Sequence, residues 1–498
     1  MNKQEIWLYL ILLRGYGSFN IKGPIKLQSL FLAMRVYCFV LVIIGIWFPS
    51  ALIAQQDPEG KDAEAYQIYS VQVAELLKVR GMDDKAIAEI LSVYKENDIS
   101  SDDKLASLLL KLYPDNQGIL FIFYQFYNDT LRRVVLEPGK VKEKIYIPVT
   151  RKEILQLGTD FNHLLGLYSS SDSRMPSLRG AIVKPPPATA GLTYQKLIQK
   201  ATTLLLPAWF DQSWKHLVII PALNLGTLPF YLLSPYPDQS ILLDHCSYSV
   251  APTIGDLIAL RLKMLKLFLG WNGNIRIPFN KIPESGQMDS AAFKLENPLF
   301  ISNPVYPLHT AYSFPDLPGA GKEIDLAIPF AQNYVLLKGA AAQKDSVLKY
   351  IENADLVYFA THGMASDEDP KNKCFLVLSG QDPFFTAKNI MDCRNRFRKF
   401  PEMVILSACQ TGLGKSMEAG VAGLARSFML AGAHHIIMSL WNVDDEATAF
   451  LMNRFIIHLQ EPHRFMPSEP LRQALIDTRA KFPKSSQWAS FAAFGVDF

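Results

Sequence analysis

Five short apolar runs constrain this chain most: Leu217–Ile220, Leu299–Ser302, Leu356–Thr361, Met403–Ala408 and Ile436–Leu440. Each is too short for a buried helix and almost without charge, so each suits a strand covered on both faces. Between them, Lys344–Ile351, Ala419–Leu430, Asp445–Leu459 and Pro470–Lys481 have helical spacing. Strands alternating with helices predict an α/β protein with a largely parallel sheet covered by helices.

Upstream the pattern differs. Residues 55–117 read as a helical segment, with apolar positions three and four apart in Ala65–Val79 and Asp84–Tyr94. Ser101-Asp102-Asp103 is a helix start before Leu105–Tyr113. No 34-residue helical repeat is evident. From Gly118, Ile119–Tyr127, Leu131–Leu136 and Lys144–Pro148 are broken by Asn128-Asp129 and Pro138-Gly139, the pattern of an antiparallel meander. Ser169–Pro187 and Asn272–Ser290 read as loops.

The 498 residues carry a net charge of +3, which hints at an acidic partner. Residues 1–54 hold five basic side chains against Glu5, a net +4, so the other 444 residues sum to −1. Nothing in the body argues for nucleic acid. The basic start leads into the uncharged run Val36–Phe48 and then Pro49-Ser50-Ala51-Leu52-Ile53-Ala54. That order reads as a secretory signal, with Met34 as an alternative start, and predicts export to a periplasmic or extracellular compartment. The alternative is a retained anchor over residues 36–54, which would bring the membrane in as a partner.

The cysteines are Cys38, Cys246, Cys374, Cys393 and Cys409, too few for a disulfide framework; spacing leaves a Cys374–Cys393 pair open. Gly412-Leu413-Gly414-Lys415-Ser416 and Pro318-Gly319-Ala320-Gly321-Lys322 both miss the phosphate-loop pattern. His434-His435 has no ligand spacing and His-Glu-x-x-His is absent, so a zinc peptidase is not indicated and no metal and no cofactor is expected. Leu257–Leu269 reads as a helix on the sheet with Arg261, Lys263 and Lys266 at its solvent edge. Gly420, Gly423 and Ala425 read as small residues that let a helix lie close on the sheet.

Two strand ends carry chemistry. Leu356–Thr361 runs into His362-Gly363, and Met403–Ala408 runs into Cys409-Gln410-Thr411-Gly412. Sites in open α/β sheets form beyond the carboxyl ends of strands. An imidazole beside a thiol promotes the nucleophilic thiolate and then protonates a leaving amine. The backbone amides of Gly363 and Cys409 are candidate oxyanion donors.

These segments resemble the CHAT domain, a bacterial caspase- and separase-like cysteine peptidase module of clan CD. The matching stretches are Leu217–Pro221, Leu228–Phe230, Ala354–Gly363, Leu406–Gly412, Gly420–Gly432, Ser439–Thr448 and Trp488–Phe491. The resemblance implies a caspase-like parallel or mixed sheet flanked by helices over 118–498. A pseudo-caspase-like part would span 118–290 and a catalytic part 291–498. It implies a cysteine endopeptidase acting on a protein or peptide substrate, with His362 as general base and acid and Cys409 as nucleophile. Ser439–Thr448 resembles the separase stretch that supplies an acid to a pocket for a basic P1 side chain. That makes Asp445, then Asp444, the candidate for binding Arg or Lys; the alternative is a helix cap. Such modules often follow helical repeats that bind a regulatory or activating partner, for which residues 55–117 leave little room. A silent or latent interaction module of the same fold is the competing reading.

Overall fold

The computed structural model describes residues 61–496, apart from 80–81, 83, 115–117, 166–176, 179–188, 269–291, 309–311, 367, 398, 409–414, 418–419, 442–444 and 464–465. Residues 1–54, read as a signal or anchor, and the loop read at Asn272–Ser290 lie outside the described residues. Residues 55–498 form one compact unit.

The helical segment forms α1 (Lys61–Val79), α2 (Asp84–Glu96) and α3 (Asp102–Leu112). Ser101 caps α3 by accepting the Lys104 amide. The meander follows as β1 (Ile119–Tyr127), β2 (Thr130–Glu137) and β3 (Lys140–Ile147). Asn128 and Asp129 both take left-handed φ, 46° and 58°, which suits a tight hairpin turn.

Next come α4 (Arg151–Leu164), α5 (Tyr194–Leu205), β4 (His216–Ile220), β5 (Ser247–Val250), α6 (Ile254–Phe268), β6 (Leu299–Pro304), α7 (Pro318–Ala327), β7 (Val335–Gly339), α8 (Lys344–Tyr350) and β8 (Leu356–Ala360). The chain ends with α9 (Ala387–Arg396), β9 (Met403–Ser407), α10 (Leu424–Ala431), β10 (His435–Ser439), α11 (Asp445–Leu459), α12 (Ser468–Lys481) and β11 (Phe491–Gly495).

All eleven strands form one sheet in the order β3-β2-β1-β4-β5-β11-β10-β9-β8-β6-β7. From β1 to β11 neighbours are parallel. From β10 to β7 they are again parallel. The two blocks run in opposite directions and meet where β11 pairs antiparallel with β10. The carboxyl-terminal strand therefore joins the two parts read at 118–290 and 291–498. Every residue of β1, β4, β5, β8, β9, β10 and β11 is buried, so helices cover both faces.

The helical segment is fastened to the meander through polar groups. Arg132 of β2 is fully buried and its Nη2 donates to both Asp102 oxygens, at 2.6 and 2.7 Å. The Tyr66 hydroxyl donates to the same carboxylate at 2.9 Å. Lys144 bridges Asp62 and Asp102 at 2.8 and 3.2 Å. Gln125 of β1 donates to the Ala65 carbonyl at 2.6 Å.

Two sequence expectations need correction, and a pairing left open is answered. Ala419–Leu430 is not one helix: Gly420–Ala422 pairs with Lys415–Met417 as a hairpin, and the helix begins at Leu424. Gly420 instead pairs with Met417 in that ladder, and Gly423 ends it and starts α10. Arg261 is not at a solvent edge: it is 3% exposed, donates to the Leu112 carbonyl at 3.0 Å and lies 4.4 Å from the Tyr113 ring. Packing of α6 under α3 turns that basic position inward. Cys374 and Cys393 are free buried thiols, each bonded locally: Cys374 accepts the Ser366 amide and Cys393 donates to the Asn389 carbonyl.

Candidate active site

Strands β8 and β9 are parallel neighbours, with Ala360 opposite Ser407. Thr361-His362 and Ala408 therefore leave the same sheet edge from adjacent strands. Ala408 is fully buried and its carbonyl accepts from the Ser439 hydroxyl at 2.6 Å, which ties the end of β9 to the end of β10. Cys409, the next residue, lies outside the described residues, as does Asp444.

His362 is held from its backbone and its ring. Thr361 Oγ1 donates to the Val377 carbonyl at 2.6 Å, and the Val377 amide donates to the His362 carbonyl at 2.9 Å. Gly363 opens the short strand Gly363–Met364 and pairs with Leu376. The imidazole is fully buried, with the Tyr306 ring edge-on at 4.6 Å and Phe314 at 5.4 Å. Its Nε2 lies 2.7 Å from the Pro315 carbonyl oxygen. A carbonyl only accepts, so Nε2 carries the hydrogen and Nδ1 is the basic nitrogen.

The loop that supplies Pro315 is anchored in turn. Asn303 at the end of β6 accepts the Leu317 amide at 3.1 Å and donates to Asp316 at 2.9 Å. Asn303 has φ 40°, a conformation asparagine tolerates. The loop then enters α7, where the Gly319 amide donates to Asp445 Oδ2 at 3.2 Å. One oxygen of the Asp445 carboxylate thus lies at the amino end of α7, where a helix end favours an anion. One short stretch, Phe314–Gly319, touches both His362 and Asp445.

Pro315, Asn303 and Gly319 carry no motif in the sequence. A backbone carbonyl has no residue signature, and Asn303 and Gly319 act through conformation and close approach. In the sequence Gly319 figured only in the run Pro318–Lys322, which misses the phosphate-loop pattern.

The remaining described thiols differ from a reactive one. Burial pushes the Cys246 thiol well above its usual range, and burial raises Cys393 to about 11. Neither forms thiolate readily near neutral pH.

A family model for the CHAT domain matches residues 189–496. The chain belongs to the CHAT-domain family. Its eleven-stranded mixed sheet with flanking helices is the caspase-like α/β fold. Yeast separase, solved as the Saccharomyces cerevisiae separase–securin complex, superposes with a TM-score of 0.51 at 13% identity, over 89% of this CHAT-domain chain and 34% of separase. In sequence the chain is similar to tetratricopeptide repeat protein 28 of Mus musculus, 23% identical over 192 residues, and of Homo sapiens, 24% identical over 192 residues. Each match covers 32% of this chain and 8% of the relative, so the chain spans a small part of the relatives it matches.

Proposed function

We propose that this CHAT-domain protein is a cysteine endopeptidase in which Cys409 attacks the scissile carbonyl and His362 manages the protons. The observation that carries the reading is the fixed tautomer of His362 at the end of β8, beside the strand that leads into Cys409. Pro315 holds Nε2–H, which leaves Nδ1 to take the thiol proton and return it to the leaving amine. Water then releases the acyl-enzyme. The amides of Gly363 and Cys409 are the proposed oxyanion donors. The raised thiols of Cys246 and Cys393 support assigning the nucleophile to Cys409. Preference for Arg or Lys at P1 rests on Asp445 and Asp444, with one Asp445 oxygen engaged by Gly319.

A latent form is the second reading, and one observation favours it: the His362 ring is fully buried against Tyr306 and Phe314. Opening of that aromatic cover, by a partner protein or a cut, would then precede turnover. The separase structure holds securin, and a protein regulator is proposed here on that analogy alone. Residues 1–54 are proposed to direct export, by a cleaved signal or an anchor over 36–54.

A positional fluorogenic peptide panel tests the reading. Hydrolysis that favours Arg or Lys at P1, lost in Cys409→Ala and His362→Ala, supports it. Activity that survives Cys409→Ala overturns it. Amino-terminal sequencing of the exported protein locates the processing point, and an intact Met1 or Met34 terminus overturns cleavage.

A further inference from the structure

Helix α11 begins at Asp445 and ends at Leu459, so its last turn lies about 20 Å along the axis from the proposed pocket acid. The turn beyond it is tight. Gln460 and Glu461 amides donate to the Ile457 and His458 carbonyls, both at 3.1 Å, and fold Glu461 back over the helix end. His458 Nδ1 then lies 3.5 Å from Glu461 Oε2, and His463 Nε2 lies 3.9 Å from the same oxygen. The three donor atoms fall within 4.8 Å of one another.

We propose that His458, Glu461 and His463 form a binding site for a divalent transition-metal ion of the zinc class. Two imidazoles and one carboxylate, with a water completing the set, are a zinc donor combination. Bonds of about 2.0–2.2 Å in a tetrahedron put neighbouring donors about 3.3–3.6 Å apart. The His458–Glu461 separation already meets that, the His463–Glu461 separation closes by a few tenths of an ångström, and the two imidazole nitrogens, within 4.8 Å of each other, close by up to about 1.5 Å.

The surroundings prepare the donors. His458 Nε2 donates to Asp477 Oδ2 of α12 at 2.9 Å, which leaves the lone pair on Nδ1, the nitrogen that faces Glu461. A carboxylate behind a ligating histidine orients the ring and raises its basicity. Asp477 is itself fixed by Arg454 Nε at 2.6 Å. His463 Nε2 donates to the His458 carbonyl at 3.1 Å. Binding trades that hydrogen bond for a metal bond, with the ring proton moving to Nδ1. The ion would clamp the connection between α11 and α12, away from the cysteine chemistry.

The test titrates zinc chloride into the full chain carrying Cys409→Ala, so that no thiolate at that position competes, with cobalt as a spectroscopic stand-in. One ion per chain and a tetrahedral cobalt spectrum are expected. Glu461→Gln, at an exposed position that leaves the fold intact, and His463→Ala should each weaken binding at least about tenfold; Asp477→Asn should weaken it through His458. No saturable binding, or binding unchanged in Glu461→Gln and His463→Ala, overturns the site.

Discussion

Replacing Gly319 by alanine tests whether the loop under His362 and the acid at the start of α11 form one device. A Cβ on Gly319 would lie 2.5 Å from both Cγ and Oδ2 of Asp445 and 2.8 Å from its Cβ. Ordinary contact begins near 3.4 Å, so these groups must part by about 0.9 Å. Such overpacking typically costs about 1–3 kcal/mol. The displacement falls on α7 or on Asp445, and α7 starts three residues after the carbonyl that fixes His362. A shift of about 1 Å at a positioning element can lower turnover about a hundredfold. Urea unfolding followed by tryptophan fluorescence should show a lower midpoint with an unchanged slope. Turnover of a basic fluorogenic peptide, read alongside, should fall at least about tenfold. Asp445→Ala alone removes the acceptor for the Gly319 amide and should cost about 1 kcal/mol. On that background the Gly319→Ala penalty should shrink by about 1 kcal/mol or more, since the two closest contacts are gone. A wild-type midpoint in Gly319→Ala, or strict additivity in the double variant, would refute the coupling.

Two further outcomes follow from the same structure. Burial raises Asp62, but the Lys144 hydrogen bond and the Arg132 and Lys144 charges outweigh it and hold the carboxyl below its ordinary 3.8. A depressed carboxyl stabilises the fold above its unfolded pKa and loses that contribution as pH falls through the folded value. Hydrogen exchange should therefore show α1 losing protection before the central sheet does as pH falls below the ordinary carboxylate value of 3.8; uniform loss would count against it. In the native chain at neutral pH, iodoacetamide should modify Cys409 while Cys246, Cys374 and Cys393 react only after denaturation, because all three are buried. Rapid labelling of Cys393 in the folded protein would contradict its raised pKa.

The sequence was most legible where a residue's character did not depend on distant partners. The apolar runs around Val357 and Val404 had to be doubly buried strands, and their register puts the two strand ends read from sequence at one sheet edge. The hairpin at Lys415–Ala422 was hidden because apolar residues three or four apart also occur in short strands. Arg261 misled because a charge on an amphipathic pattern is normally solvated; here a carbonyl and a ring from α3 and its cap take it inside.

What the sequence by itself determined is the alternation of buried strands and helices, and that one such run leads into a histidine and another into a cysteine. Those follow from local hydrophobicity and residue chemistry. What only the tertiary structure decided is where β11 inserts, which carbonyl meets His362, and that the Gly319 amide reaches the Asp445 carboxylate. Each of these is a meeting of groups far apart in the chain: Phe494 with Val250, His362 with Pro315, Asp445 with Gly319. Such meetings are set by how layers pack, and backbone atoms supply one side of each, so no side-chain pattern announces them.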